Sequence, residues 1–429
     1  MKFPSLNDLD REQRRVYGNA PNDGAILVVG PPGTGKTVMA MHRAQKCIQL
    51  KQSPRVIMFN RVLRRYSSAW AQVDNQIEVI TLLSWVKKWW LGAGMGRIPM
   101  IDKWVVDWGE IMNRVLAVGQ DKEKLGKLNW GHLIIDEGQD FPEVMYTVLG
   151  KILAHLIRNG QSTQITVFAD DNQRLQAEMN CTVANIAKSL GILQKQDRKF
   201  YLSKNYRNTL EVAKFAQYFQ VGKTSGAAKL PSNSGEVPSV DFFADDKERS
   251  EFIVRKLKIS AGKQVGVIVN GAQHDVTRAK NQLEARLKET KWTVQFYTSK
   301  QWKKVDELDF AAKNMVTVLH QNSAKGLEFD LVFYVGLEKT DMDASGGMNE
   351  RMAIYVMASR AREELRVSLT GLDFSEREPD GLKLLPRPDR GLCRFEGYGA
   401  LSRQDVLTYL DKTEWREPEE GSPFWEEVA

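Results

Sequence analysis

Cysteine is scarce in this chain. Cys47, Cys181 and Cys393 lie scattered through 429 residues, a usage that points to a reducing compartment rather than a disulfide framework. There are only five histidines, and no His/Cys group has metal-ligand spacing. Long apolar runs are also missing, as is a charged-then-apolar start. The expectation is a soluble, cytoplasmic chain with no membrane partner. No internal repeat and no nuclease signature is found. Neither sign of charge dominates: 61 Lys and Arg against 54 Asp and Glu leave a net charge of +7. Such an excess favours an anionic polymer partner through phosphate contacts, and it equally serves solubility.

What is present begins at Gly30. The run Gly30-Pro31-Pro32-Gly33-Thr34-Gly35-Lys36-Thr37 follows the apolar stretch Ala25–Val29 and precedes apolar residues at helical spacing, Val38, Met41 and Ile48. Strand, glycine-rich turn and helix in that order form a P-loop. Its glycines let backbone N–H groups point inward at the β- and γ-phosphates of a nucleoside triphosphate, and the helix offers its positive end. Lys36 supplies a mobile charge and the Thr37 hydroxyl a ligand for Mg²⁺. ATP and Mg²⁺ are therefore the expected cofactors.

A second cluster narrows the chemistry. His132–Ile135 reads as a short buried strand delivering Asp136-Glu137-Gly138-Gln139-Asp140 at its carboxyl end, where ligands of open parallel sheets bind. Asp136 suits Mg²⁺ through its water shell. Glu137 suits the polarisation of the water that attacks the γ-phosphate.

With these segments in order, the chain resembles the superfamily 1 helicases of the UvrD/Rep-like group, from about residue 6 to residue 370. Leu9–Gln13 resembles the adenine-reading segment, with Gln13 on the base edge. Ile165–Gln173 is similar to the third motif, in which Asp170 and Gln173 sense the γ-phosphate. Leu202–Arg207 resembles the fourth motif, Ser323–Asp330 the fifth and Tyr355–Ala361 the sixth. The resemblance implies that Arg207 and Arg360 are arginine fingers, that Tyr206 stacks on adenine, and that Glu328, beside Gly326, meets the ribose. It implies two RecA-like P-loop domains with parallel sheets, an α/β fold. The activity implied is an ATP-dependent helicase or translocase on single-stranded DNA, running 3′ to 5′.

Departures from the family pattern fall on the nucleic-acid side. Arg174-Leu175-Gln176-Ala177-Glu178 stands where stacking aromatics follow the third motif, and His320-Gln321-Asn322 replaces Thr-Leu-His. Val56–Arg61 and Thr81–Ser84 depart likewise. Six of the eleven tryptophans, Trp85, Trp89, Trp90, Trp104, Trp108 and Trp130, lie between the Thr81 segment and Asp136, with Lys87 and Lys88 adjoining. Two readings stand for them: a helical core stripe, or aromatics interleaved with cations for a single-stranded polymer.

The expected organisation is a first domain over 1–204 with an insertion at about 85–130, a second over 205–372, and a C-terminal extension over 373–429. Strands are expected at Val237–Phe243, Gln264–Asn270, Asn314–Leu319 and Leu331–Val335, and helices at Lys247–Ile259 and Asp275–Glu289. Arg360 is expected on a helix, Met348–Arg362, followed by the strand Leu365–Leu369. About a hundred residues separate the fourth and fifth motifs, so the extra domain of large relatives should be missing or vestigial. From Asp411 onward, seven acidic and two basic residues surround Trp415, Phe424 and Trp425. This tail suits a disordered end, a partner or the basic track. A second functional reading follows: a nucleic-acid-sensing ATPase working with a nuclease or other effector, as in phage defence.

Overall fold

The computed structural model describes residues 4–71, 77–173, 181–221, 226–342, 347–373 and 378–418, without the side chains of 68–71. Arg174–Glu178, Phe424 and Trp425 lie outside the described residues. The chain divides into two compact units, Met1–Ser203 with Thr224–Gly226, and Lys204–Lys223 with Ala227–Ala429.

The first unit is built on six strands: β1 Gly24–Val29, β2 Pro54–Met58, β3 Glu78–Thr81, β4 His132–Ile135, β5 Gln164–Ala169 and β6 Lys199–Tyr201. All pairings are parallel, in the order β3-β2-β4-β5-β1-β6. Parallel strands covered by helices on both faces need apolar residues on both sides, which is why β1 and β5 read as nearly unbroken apolar runs. Because β5 lies between β4 and β1, the segments that leave these three strands meet at one carboxyl edge.

The tryptophans between β3 and β4 resolve into two kinds. Trp85, Trp89, Trp90, Trp108 and Trp130 are buried in one core with Leu27, Ile57, Leu133 and Ile165 of the sheet. Trp85 stacks on Trp89 at 5.3 Å and Trp130 meets both edge-on. The indole N–H groups of Trp89 and Trp130 donate to the carbonyls of Leu128 and Gln164. The core reading holds for these five, and the helices Leu82–Gly92, Trp108–Ala117 and Lys122–Leu128 extend the sheet's own core instead of building a separate one. Trp104 alone among the six is exposed.

The second unit holds seven strands: β7 Ser239–Phe243, β8 Val265–Val269, β9 Thr293–Tyr297, β10 Met315–His320, β11 Phe329–Val335, β12 Ala361–Thr370 and β13 Arg394–Gly397. They pair in parallel in the order β13-β7-β12-β11-β8-β10-β9. The two sheets give the α/β architecture of two RecA-like domains. Most of the residues between Arg207 and Ser323 go into this sheet and its helices, Leu210–Gln217, Asp246–Ile259 and Gln273–Leu287. Past residue 372, β13 adds an edge strand and the helix Arg403–Leu410 packs on it, so this stretch is part of the second unit's fold.

One local expectation is corrected. The helix beginning at Met348 ends at Ala358, and Arg360 sits in the turn before β12 rather than on the helix. Parallel pairing of Ala361 with Phe329 draws the chain off the helical path, and the Arg360 carbonyl accepts the Phe329 N–H at 2.9 Å. No helix among the described residues is long and apolar enough to cross a membrane.

Candidate nucleotide site

The P-loop leaves β1 at Gly30 and enters the helix Lys36–Gln49 through Gly35. Gly33 and Gly35 take φ of 80° and 83°, a left-handed backbone open to glycine at little cost. A Cβ at Gly35 would also stand 2.6 Å from Gln13 Nε2, so a side chain there would push the Gln13 amide from its place as well as strain the backbone. Pro31 and Pro32 are buried and have no N–H to satisfy. The Thr34 hydroxyl donates to the Pro31 carbonyl at 2.8 Å, tightening the loop. Lys36 Nζ donates to the carbonyls of Gly30 and Pro31 at 2.5 and 3.1 Å and lies 3.7 Å from Asp170 Oδ2.

Gln13 packs directly against this loop. Its Nε2 donates to the Thr34 carbonyl at 3.1 Å, while its Oε1 accepts the Asp10 N–H in a capping box. The segment ahead of the P-loop is thereby fastened to it, with both ends of the amide already engaged.

At the carboxyl end of β4, Asp136 is fully buried. Its Oδ2 accepts the Thr37 hydroxyl at 2.7 Å, and its Oδ1 has no hydrogen-bond partner among the described residues. Burial first, and Glu137 next to it, push this carboxyl up to about 6, against the downward pull of Thr37 and Lys36. A buried, open carboxylate oxygen beside a hydroxyl is an oxygen donor set that fits Mg²⁺ with its retained waters. Glu137 follows at φ 51° and ψ 45°, a conformation that costs a non-glycine residue about 1–2 kcal/mol. Strain of this kind persists where the surroundings over-determine it, commonly at functional sites.

Gln139, to which no role was assigned from sequence, ties the cluster together. Its Nε2 donates to Glu137 Oε2 at 2.7 Å, and its Oε1 accepts the Asp170 N–H at 3.0 Å. Asp170 Oδ2 in turn accepts Gln173 Nε2 at 2.7 Å. The available signal was an amide between carboxylates at a strand's carboxyl edge. Nearby, Tyr146 donates to the Gly138 carbonyl at 2.7 Å, and a Cβ at Gly138 would stand 2.4 Å from Val167. The first unit thus brings Gln13, Gly30–Thr37, Asp136, Glu137 and Gln173 to one edge.

The other candidates belong to the second unit, and three of them gather at the amino ends of β11 and β12. Arg207 Nε donates to Glu328 Oε2 at 2.6 Å, and its Nη1 reaches the Ser359 carbonyl at 3.4 Å. Glu328 also faces Arg362 at 3.5 Å. Burial pushes the Glu328 carboxyl up, but Arg207 and Arg362 outweigh it and hold it below the usual range. Arg360 is 1 % exposed and donates to the carbonyls of Val356 and Leu327 and to the Ser359 hydroxyl. Gly326, at φ 81°, turns the chain toward β11. Tyr206 is exposed, with Lys204 Nζ 5.1 Å from its ring. His320 is satisfied: Nε2 donates to the Gly271 carbonyl at 2.8 Å, and Nδ1 accepts the Asn322 N–H.

Residues 13–178 match the model of the AAA domain family. No curated protein matches the chain. Among solved structures, the chain is similar to the C-terminal domain of a possible DNA helicase from Lactobacillus plantarum WCFS1, at 18% identity and a TM-score of 0.31, over 44% of this chain and 98% of that one. The matched span, residues 13–178, holds the P-loop, the Asp136–Asp140 turn and Gln173.

Proposed function

We propose that the protein is an ATP-dependent motor of the UvrD-like helicase type, hydrolysing ATP to move along single-stranded DNA, 3′ to 5′ as the motif resemblance implies. The observation that carries this reading is the linked set Lys36, Thr37, Asp136, Glu137, Gln139, Asp170 and Gln173 at one sheet edge. In it, Lys36 exchanges its bonds to P-loop carbonyls for phosphate oxygens, and Glu137 orients the attacking water. Thr37 and Asp136 hold Mg²⁺, which when bound neutralises charge on the phosphates. Gln139 connects Glu137 to the backbone of Asp170, so a change at the phosphate end alters the segment after β5. Arg207 and Arg360 of the second unit carry the cationic charge that phosphoryl transfer needs, and Tyr206 and Glu328 serve the adenosine moiety. Gln13 reads the adenine edge by trading one of its present amide bonds.

The test is ATP hydrolysis with and without single-stranded DNA, followed by unwinding of a forked duplex. Stimulated hydrolysis with unwinding is expected; hydrolysis indifferent to every polynucleotide would overturn the reading. A second reading, an ATPase that senses nucleic acid and works with a nuclease or other effector, draws on the second unit's use of residues between Arg207 and Ser323 for its own sheet. Stimulated hydrolysis without unwinding would favour it.

A further inference from the structure

Five of the six tryptophans between β3 and β4 are core; the sixth is displayed. Trp104 is 55 % exposed on a loop closed by the antiparallel bridge Met100 to Val106 and by the Ile101 N–H donating to the Val105 carbonyl. Asp102 Oδ1 accepts the N–H groups of Trp104 and Val105 at 2.6 and 3.0 Å, an Asx turn that fixes the loop. Burying an indole is worth a few kcal/mol, so a rigid loop that leaves one in water gives up that gain. Two cations flank the ring, with Lys103 Nζ 5.2 Å and the Arg61 guanidinium 5.9 Å from its centroid.

Arg61 connects this loop to the sheet. It opens the helix Arg61–Ala71 just past the carboxyl end of β2, two residues after Phe59, itself 42 % exposed. Phe59 packs edge-on to Phe141 at 5.8 Å, and Phe141 closes the turn that carries Asp136 and Glu137. Two exposed aromatics, Trp104 and Phe59, therefore lie on either side of Arg61 in the chain's first unit, with Lys103 also over the indole, and Phe59 rests edge-on against the buried Phe141. Single-stranded nucleic acid needs this pattern, with faces for successive bases and cations for the phosphates between them.

We propose that Trp104, with Arg61 and Phe59, is a base-stacking platform for single-stranded nucleic acid. It takes the place of the aromatics that the family pattern puts after the third motif. The proposal rests on the nucleic-acid reading above. The platform also gives a route from strand to hydrolysis, because Phe59 touches the residue that ends the Asp136–Asp140 turn.

The experiment measures binding of a fluorescein-labelled oligothymidylate by anisotropy across a salt series, with hydrolysis in the absence of DNA as the control. Trp104→Ala should weaken binding about tenfold, the scale of one stacked base, while Trp104→Phe keeps most of it. Neither should change the salt slope or the DNA-free hydrolysis. Arg61→Gln should lower the slope of log affinity against log salt by roughly 0.7, the loss of one phosphate contact. Wild-type affinity in Trp104→Ala overturns the platform and leaves the motor reading intact. No oligothymidylate binding by the wild-type protein removes both.

Discussion

The carboxyl edge of the first sheet and the amino edge of the second hold buried charge in opposite states. After β4, Asp136 keeps one carboxylate oxygen without a partner among the described residues, and Glu137 is held in a left-handed backbone. At the amino ends of β11 and β12, Arg207, Arg360, Glu328 and Arg362 satisfy one another and the local carbonyls. Buried polar groups lacking partners cost stability, so the first arrangement gains its value from something outside the chain. The second is structural as it stands. Substitutions in the first set should therefore change chemistry more than folding, and those in the second should change both.

The largest effects should come from the first edge, where Glu137→Gln keeps the shape and removes the charge that polarises water. Turnover should fall on the order of 10²–10⁴-fold with nucleotide affinity retained. Lys36→Ala should instead lose the phosphate contact and abolish turnover. Single-turnover hydrolysis and nucleotide titration separate the two, and loss of nucleotide binding in Glu137→Gln would make that residue structural.

Arg360→Ala should lower turnover too, but the comparison requires a second cost. The guanidinium is fully buried and donates to two carbonyls and a hydroxyl; removing it takes the donor from the Leu327 carbonyl and leaves a cavity, while the Val356 carbonyl keeps the Ser359 hydroxyl. A loss of about 3 kcal/mol in urea unfolding is expected, against little change for Glu137→Gln. Equal stability of the two variants would break the distinction between the edges.

The state of Asp136 also predicts a pH dependence. An aspartate in the unfolded chain titrates near 3.8, whereas burial and Glu137 raise this one to about 6. The folded protein thus holds the proton more tightly than the unfolded one. The contribution is greatest below about pH 4, declines as pH rises from 4 to 6, and is spent above that. Asp136→Asn should flatten this decline and be more stable than wild type at pH 8 without divalent cations. A parallel pH profile for the two proteins would place the titration elsewhere.

The elements nearest the first edge were the ones most legible in the sequence. The P-loop glycines declare a turn that other residues would strain, and β1, β4 and β5 are apolar runs because both faces are covered. Edge strands were not read: β3 has four half-buried residues, β9 faces water in part, and β13 is short and polar. Their pairing is decided by neighbours, which a local pattern does not contain. The helix from Met348 carried no breaker before Arg360, so its end depended on the pairing of Ala361 with Phe329. Gln139 acts through β4 and β5 together, and five tryptophans were assigned to the core only once the sheet beneath them was in place. The sequence shows which residues can do chemistry; which of them are already occupied depends on contacts between distant segments.

The smallest expected effect tests Tyr206, an exposed aromatic among the second-unit candidates. Tyr206 is 40 % exposed, with the Lys204 ammonium over its ring, so its removal should cost less packing than that of the buried Arg360. If it stacks on adenine, Tyr206→Ala forfeits about 0.5–1.5 kcal/mol of binding, a rise of roughly two- to twelvefold in KM for ATP. The rate at saturation and the unfolding midpoint should stay unchanged, and Tyr206→Phe should behave as wild type because the ring face, not the hydroxyl, makes the contact. A fall in stability as large as that of Arg360→Ala would put Tyr206 among the structural residues. An unchanged KM would remove it from the nucleotide site and leave Gln13, fastened to the P-loop backbone, as the candidate for base recognition.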